Sequence, residues 1–185
     1  MAYRLRYLRQ EDIAQVTEID LACFPTMMPV PNYLTELSNP LAHYIVLADD
    51  SLVSAERSGT TIPGFSGIWM MAGEAHVINI AVRPERRQEG WGELLFIGLF
   101  QLARRLKAIM LTLEVRVSNK AAQQLYAKYG LTERGCRRAY YTDNREDALI
   151  MTLDDPGCPA YDAALSSLRQ EYTLRWRRET ELESI

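Results

Sequence analysis

The chain has 185 residues, 48% of them apolar and 24% charged, with a formal net charge of −3. That length and apolar share can bury one sizeable core without covalent staples, and the interspersed signs exclude a broad electrostatic footprint for nucleic acid. Cys23, Cys136 and Cys158 are far apart and form no Cys-x-x-Cys or Cys/His cluster, which argues for a reducing compartment and against a metal site.

The N-terminus MAYRLRYLRQED lacks the apolar segment of a secretory signal, and the longest apolar stretch, LLFIGLF, is far too short to span a bilayer. A soluble, cytoplasmic protein without a membrane partner is expected. Residues 3 to 8 alternate as a first strand, after which Glu11 or Asp12 can cap a helix to about Cys23, with Ile13, Val16, Ile19 and Leu21 on its apolar face. CFPTMMPVPNY then breaks regularity with Pro25, Pro29 and Pro31, and YLTELSN offers a second short helix. Met27 and Met28 either fill an irregular gap or form a compliant surface. HYIVLADD and GFSGIWMMA read as strands joined by the polar linker SLVSAERSGTTIP, and Glu74 stands just before the next strand.

His76 to Val82 is nearly continuous in Val, Ile and Ala, as expected of a central strand covered on both faces, and Pro84 ends it because proline has no N–H for the ladder. Leu95, Leu99, Leu102 and Leu106 mark one face of a helix from about Trp91 to Lys107. Between them lies Arg87-x-x-Gly90-x-Gly92. Its glycines allow positive φ or close approach, so successive amides and the helix N-terminus can face one anion. The spacing matches neither a dinucleotide fingerprint nor a P-loop. A turn that uses glycine only for geometry explains the loop equally well.

In MLTLEVRV, Leu111, Leu113, Val115 and Val117 face one way, and Thr112, Glu114 and Arg116 the other. Ser118 or Asn119 caps a helix that Gly130 ends, with Ala122, Leu125, Tyr126 and Tyr129 on one side. LTERGCRRAYY and DALIMTL follow as strands. DDPGCPAYD marks a boundary, beyond which Leu165, Leu168, Tyr172 and Trp176 recur at helical spacing.

Taken together, INIAVRP, R-x-x-G-x-G, LEVRVSNKAAQQLYAKYG and RRAYYTDNREDALIM resemble the GCN5-related N-acetyltransferases (GNAT), and most of all the RimI-type group that acetylates protein N-termini. The resemblance implies an α/β (α+β) fold, a mixed central β-sheet flanked by helices, in a domain of residues 1–153 followed by a C-terminal helical extension, 154–185. That extension either packs on its own domain, covers the groove or makes a homodimer contact.

The resemblance also implies acetyl-CoA as co-substrate and no metal. Pantetheine would lie along Ile80, Ala81 and Val82, the pyrophosphate on Arg87, Gln88, Glu89, Gly90, Trp91 and Gly92, with Arg86 nearby, and Asn119 would bond the pantetheine arm or cap its helix. Glu89 departs from the neutral or basic residue usual there, so it must point to solvent or weaken phosphate binding. Trp91 replaces a commoner aliphatic residue. Glu114 matches the general base and Tyr126 the general acid, while Phe24, Arg138, Tyr140 and Tyr141 correspond to the acceptor side. The aromatic-Pro-x-Trp sequence of many relatives is replaced after Phe24-Pro25, which leaves that wall open to question.

The acceptor implied is a protein or peptide N-terminus, perforce one with a neutral amine. An α-amino group titrates about 7.7 to 8.0 and lysine about 10.4, so its neutral fraction near pH 7 is roughly several-hundredfold larger. A small amine or polyamine fits the same base, and a non-catalytic acyl-CoA-binding module would need neither Glu114 nor Tyr126.

Overall fold

The computed structural model describes residues 3–25, 30–49, 60–176 and 180–182; Met27, Met28 and positions 51 to 59 of the polar linker lie outside the described residues. In chain order the elements are β1 (Tyr3–Tyr7), α1 (Ile13–Cys23), α2 (Tyr33–Leu37), β2 (Ala42–Asp49), β3 (Thr61–Met71), β4 (Glu74–Val82), α3 (Trp91–Arg105), β5 (Met110–Arg116), α4 (Lys120–Lys128), β6 (Thr132–Arg137), β7 (Ala148–Asp154), α5 (Ala160–Trp176) and β8 (Thr180–Leu182). The strands form one mixed sheet in the order β6-β7-β5-β4-β3-β2-β1-β8, in which β4 and β5 run parallel and β8 lies parallel to β1.

The alternating side chains of β2 explain the two-layered core. Ile45 and Leu47 join α3 and β5 in one apolar cluster, whereas Tyr44, Val46 and Ala48 pack with Val16 and Ile19 of α1 and Tyr33 of α2 in another. Helix α3 carries the first layer: Leu95, Phe96, Leu99, Phe100 and Leu102 are fully buried, each such side chain contributing ~1.5–3 kcal/mol. Gly98 allows this helix to approach β2, since a Cβ there would fall 2.7 Å from Ile45 Cδ1.

Several expectations change in detail. Leu21 is exposed rather than part of the α1 face. Asp12 does not cap α1 with its side chain, because a short 3₁₀ turn precedes the helix; its buried carboxylate instead accepts the Arg9 backbone N–H (2.9 Å) and holds the Arg6 guanidinium (2.6 and 2.9 Å). β4 is central but not covered on both faces along its length, for Ile78 is exposed and Ile80 and Val82 are only half-buried. The apolar stripe of α5 packs on the main core, with Leu165 and Tyr172 buried and Leu168 and Trp176 partly so. No helix among the described residues is long and apolar enough to cross a membrane.

Candidate active site

A cleft opens where two central strands part. β4 and β5 are paired only from Glu74–Met110 to Val77–Leu113. At that point β4 carries a bulge: its pairing with β3 steps from Ile68–Val77 to Gly67–Asn79, leaving Ile78 as the extra residue. Such an insertion bends a strand, and beyond it β4 and β5 diverge.

The backbone of β4 past the bulge therefore has one open edge. Arg83 N–H donates to Pro63 O (2.8 Å), so in this antiparallel ladder Arg83, Ala81 and Asn79 direct their peptide groups at β3. The intervening Ile80 and Val82 direct theirs away, toward the gap. The Val82 carbonyl shows this independently by accepting from Cys23 Sγ at 3.2 Å.

The cleft has a volume of about 710 Å³, within the range of small-molecule sites. Its walls include Ile80, Ala81, Val82, Arg87, Gln88, Gly90, Trp91 and Gly92 on one side, and Glu114, Asn119, Tyr126, Tyr140 and Tyr141 on the other, with Phe24 at the end of α1. Arg138 and Glu89 are not among the lining residues. Glu74 lies at the closed end of the β4–β5 pair, where it bonds His76 (3.0 Å).

In the turn between β4 and α3, Gly90 adopts φ 82° and Gln88 φ 62°, both left-handed. The expectation that Glu89 faces solvent or the anion is replaced by a third arrangement. Its carboxylate accepts from Arg86 Nε (3.1 Å) and from Trp91 Nε1 (2.9 Å), and the Trp91 ring is buried against Tyr3. Glu89 and Trp91 thus form the underside of the turn. Arg86 is committed to Glu89, whereas exposed Arg87 reaches toward Cys23 Sγ (3.5 Å) at the cleft.

On the opposite wall, Glu114 Oε1 accepts from Arg137 Nε at 2.9 Å. Arg138, which the resemblance placed on the acceptor side, does not line the cleft, and the reason is a second bulge. Pairing of β6 with β7 steps from Glu133–Met151 to Gly135–Ile150, which leaves Arg134 unpaired; Ile150 is also the partner of Glu114. An unbulged strand would have carried Arg134, Cys136 and Arg138 on the Glu114 side, but the extra residue exchanges them for Gly135 and Arg137. Arg138 is exposed.

Tyr126 comes from α4, set against the Phe96 ring of α3 (centroids 5.1 Å apart). Among the described residues its hydroxyl has no hydrogen-bond partner. Burial first, then the neighbouring Tyr141, pushes this phenol well above the ordinary tyrosine range, so it remains protonated throughout the neutral and mildly alkaline range. Asn119 caps α4, its side chain accepting the Ala122 N–H (3.1 Å), and the residue also lines the cleft.

Tyr140 and Tyr141 sit edge to face on the segment after β6. Arg116 packs its guanidinium 3.8 Å from the Tyr141 ring centre while bonding Asp143 (2.8 Å) and Glu146 (3.0 Å), and Glu146 also accepts the Ser118 N–H (2.8 Å). These bonds, led by those from Ser118, hold the Glu146 carboxyl down to about 2, and burial pushes Tyr141 up to about 12 despite Arg116 beside it. Arg116, Arg137 and Cys23 were absent from the sequence-based site. Arg116 could have been found by its shared strand face with Glu114; the other two depend on a bulge and a helix end.

A parallel pair splayed at a bulge, an open strand edge and a left-handed turn at a helix start meet at one cleft in a chain that belongs to the acetyltransferase (GNAT) family, whose model matches residues 13–131. It is an acetyl-CoA-dependent N-acetyltransferase. Its likeness to the RimI-type group holds: a Bacillus subtilis (strain 168) protein provisionally named [ribosomal protein bS18]-alanine N-acetyltransferase is 42% identical over 148 residues, covering 80% of this chain and 92% of that one. An N-alpha-acetyltransferase of Sulfurisphaera tokodaii is 32% identical over 157 residues, 80% of this chain and 91% of its own. The crystal structure of the ribosomal-protein-S18-alanine N-acetyltransferase from Escherichia coli superposes with TM-score 0.68 at 28% identity, covering 83% of this chain and 94% of that one.

Proposed function

We propose that the chain acetylates the N-terminal α-amine of a protein, with a ribosomal protein as acceptor, by direct transfer from acetyl-CoA. The observation that carries this is the meeting of an open β4 backbone edge with Glu114 and Tyr126 in one cleft. The names of the relatives support the acceptor class. In this reading residues 1–153 are the catalytic domain and 154–185 its extension, working in the cytoplasm.

The residues take the following parts. Ile80 and Val82 hold the pantetheine arm as an added strand would be held, aided by Asn119, and one of their amides meets the thioester oxygen as negative charge develops. The amides of 87–92, together with Arg87, hold the pyrophosphate, while Glu89 stays tied beneath the turn. Glu114 removes the amine proton through water, so the nitrogen can attack the carbonyl carbon. Arg137 orients that carboxylate. When the C–S bond breaks, Tyr126 donates to the departing sulfur. A phenol held above its ordinary range is a weak acid toward a thiolate near about 8.5, so its contribution is expected near the lower end of the ~10²–10⁴ range of acid–base effects. Phe24, Tyr140 and Tyr141 flank the acceptor.

The test is thiol release with acetyl-CoA and a peptide panel differing in the first residue, beside polyamines and free lysine. Acetylation confined to peptide α-amines is expected. Faster turnover of polyamines than of any peptide would replace this acceptor with a small amine.

A further inference from the structure

We propose that α5 is a brace for the turn that holds the pyrophosphate, and that Trp176 is the positioning residue through which it acts. Gly90 is the left-handed residue at the start of α3, and a Cβ built on it would run into the Trp176 indole, with Nε1 at 2.6 Å. The ring therefore lies directly on the backbone of Gly90. Trp176 does not line the cleft, although Gly90 does. The turn is held between the Trp176 ring on one side and the space for its ligand on the other.

The helix bearing this ring is anchored along its length to the elements that form the cleft. Near its beginning Asp162 pairs with Arg104 of α3. Tyr161 lies against Phe100, with ring centroids 6.4 Å apart. Further along, Glu171 bonds Lys128 Nζ (3.1 Å), and the same ammonium bonds Glu93 in the first turn of α3 (3.1 Å). Glu93 also accepts from Tyr129 OH (3.0 Å). Leu165 and Tyr172 are buried in the core that α3 and α4 share. The start of α3 is thus fixed by Glu93 and Gly90, and both contacts lead to α5.

Amides bind an anion well only when they already point together, because each degree of freedom frozen on binding reduces affinity. A left-handed glycine two positions after a second positive-φ residue, Gln88, is the part of this turn with the most conformations to lose. An indole placed on that glycine removes alternatives before the ligand arrives. The extension thus sets acetyl-CoA affinity without touching acetyl-CoA. This rests on the reading that residues 87–92 hold the pyrophosphate.

The experiment is calorimetric titration of the full-length protein and its variants with acetyl-CoA and with acetyl-pantetheine, which lacks the phosphates. The readout is the ratio of the two dissociation constants. The wild type should favour acetyl-CoA clearly; equal affinities would mean that the turn does not hold the pyrophosphate, and would sink that reading and this proposal together. If the wild type discriminates, Trp176→Ala should reduce the ratio ~10-fold, with kcat at saturating acetyl-CoA changed by no more than about twofold. Trp176→Phe should restore most of the preference. A ratio unchanged in Trp176→Ala, whatever its melting temperature, overturns the brace while leaving the turn's role intact. If the alanine variant does not fold, the series Trp176→Phe and Trp176→Leu gives the same decision: a graded fall in the ratio supports the proposal, and a constant ratio refutes it.

Discussion

The two walls of the cleft are built from different materials. On the β4 side the useful groups belong to the backbone: the peptide units of Ile80 and Val82 and the amides of a left-handed turn. On the side of β5 and α4 they are side chains, the Glu114 carboxylate held by Arg137 and the Tyr126 hydroxyl set by Phe96. A backbone wall tolerates side-chain exchange provided its path is kept, and in the function proposed here its job is binding. A side-chain wall loses its function atom by atom, and in the same proposal its job is chemistry. Substitutions on the two walls should therefore separate affinity from turnover.

The largest effect is expected at Glu114. Glu114→Gln should lower kcat/KM by ~10²–10⁴-fold at neutral pH, because the base is lost while the shape is kept. The loss should shrink as the pH rises and more of the amine is already neutral; a loss independent of pH across the amine's titration would remove the base role. Tyr126→Phe should cost ~10²-fold in kcat with unchanged acetyl-CoA affinity. An acyl donor with a more acidic thiol should recover much of that loss, whereas failure of such a donor to help would point to a packing role for the ring.

A smaller effect is expected at the acceptor flank. The Glu146 carboxyl is held below its ordinary value of 4.5, at about 2, so the bonds to Ser118 and Arg116 are complete above 4.5 and are lost as pH falls through about 2. Glu146→Gln should raise the acceptor KM several-fold at neutral pH through a looser Tyr140–Tyr141 segment. An acceptor KM equal to that of the wild type would dissociate this segment from the acceptor. The smallest effect belongs to Glu89→Gln. The amide keeps an acceptor for Trp91 Nε1 and releases Arg86 from a partly exposed ion pair, so stability should change by less than ~1 kcal/mol. Acetyl-CoA should bind equally or a few-fold more tightly; weaker binding would give Glu89 a positive role at the ligand.

The same division explains what could be read in the sequence. Helix α3 and the strand before it are plain because their apolar spacing is local, and the motif from Glu114 to Tyr126 is plain because a strand, a cap and a helix follow one another within a short span. Arg138 was assigned to the acceptor side, whereas its neighbour Arg137 is the residue that reaches Glu114. Side-chain direction alternates along β6, and a bulge at Arg134, which Gly135 beside it could have signalled, reverses the count. Glu89 was read as a charge that points to solvent or weakens phosphate binding, since the Trp91 indole that takes it up is a tertiary neighbour as much as a sequence one. The apolar run of β4 was read as buried on both faces, although its far half lines a cleft. Apolar residues that face a ligand and apolar residues that face a core look alike in a sequence. The short β8 strand carries too little pattern to be seen at all.

The most direct measurement is acetyl-CoA binding to the Glu114→Gln/Tyr126→Phe double variant, by calorimetry, alongside its turnover with a peptide acceptor. Wild-type affinity combined with turnover reduced by at least ~10²-fold is the expected result, since the variant keeps the backbone wall and loses the chemical one. Affinity lost in step with turnover, or turnover retained, would contradict the assignment of chemistry to Glu114 and Tyr126.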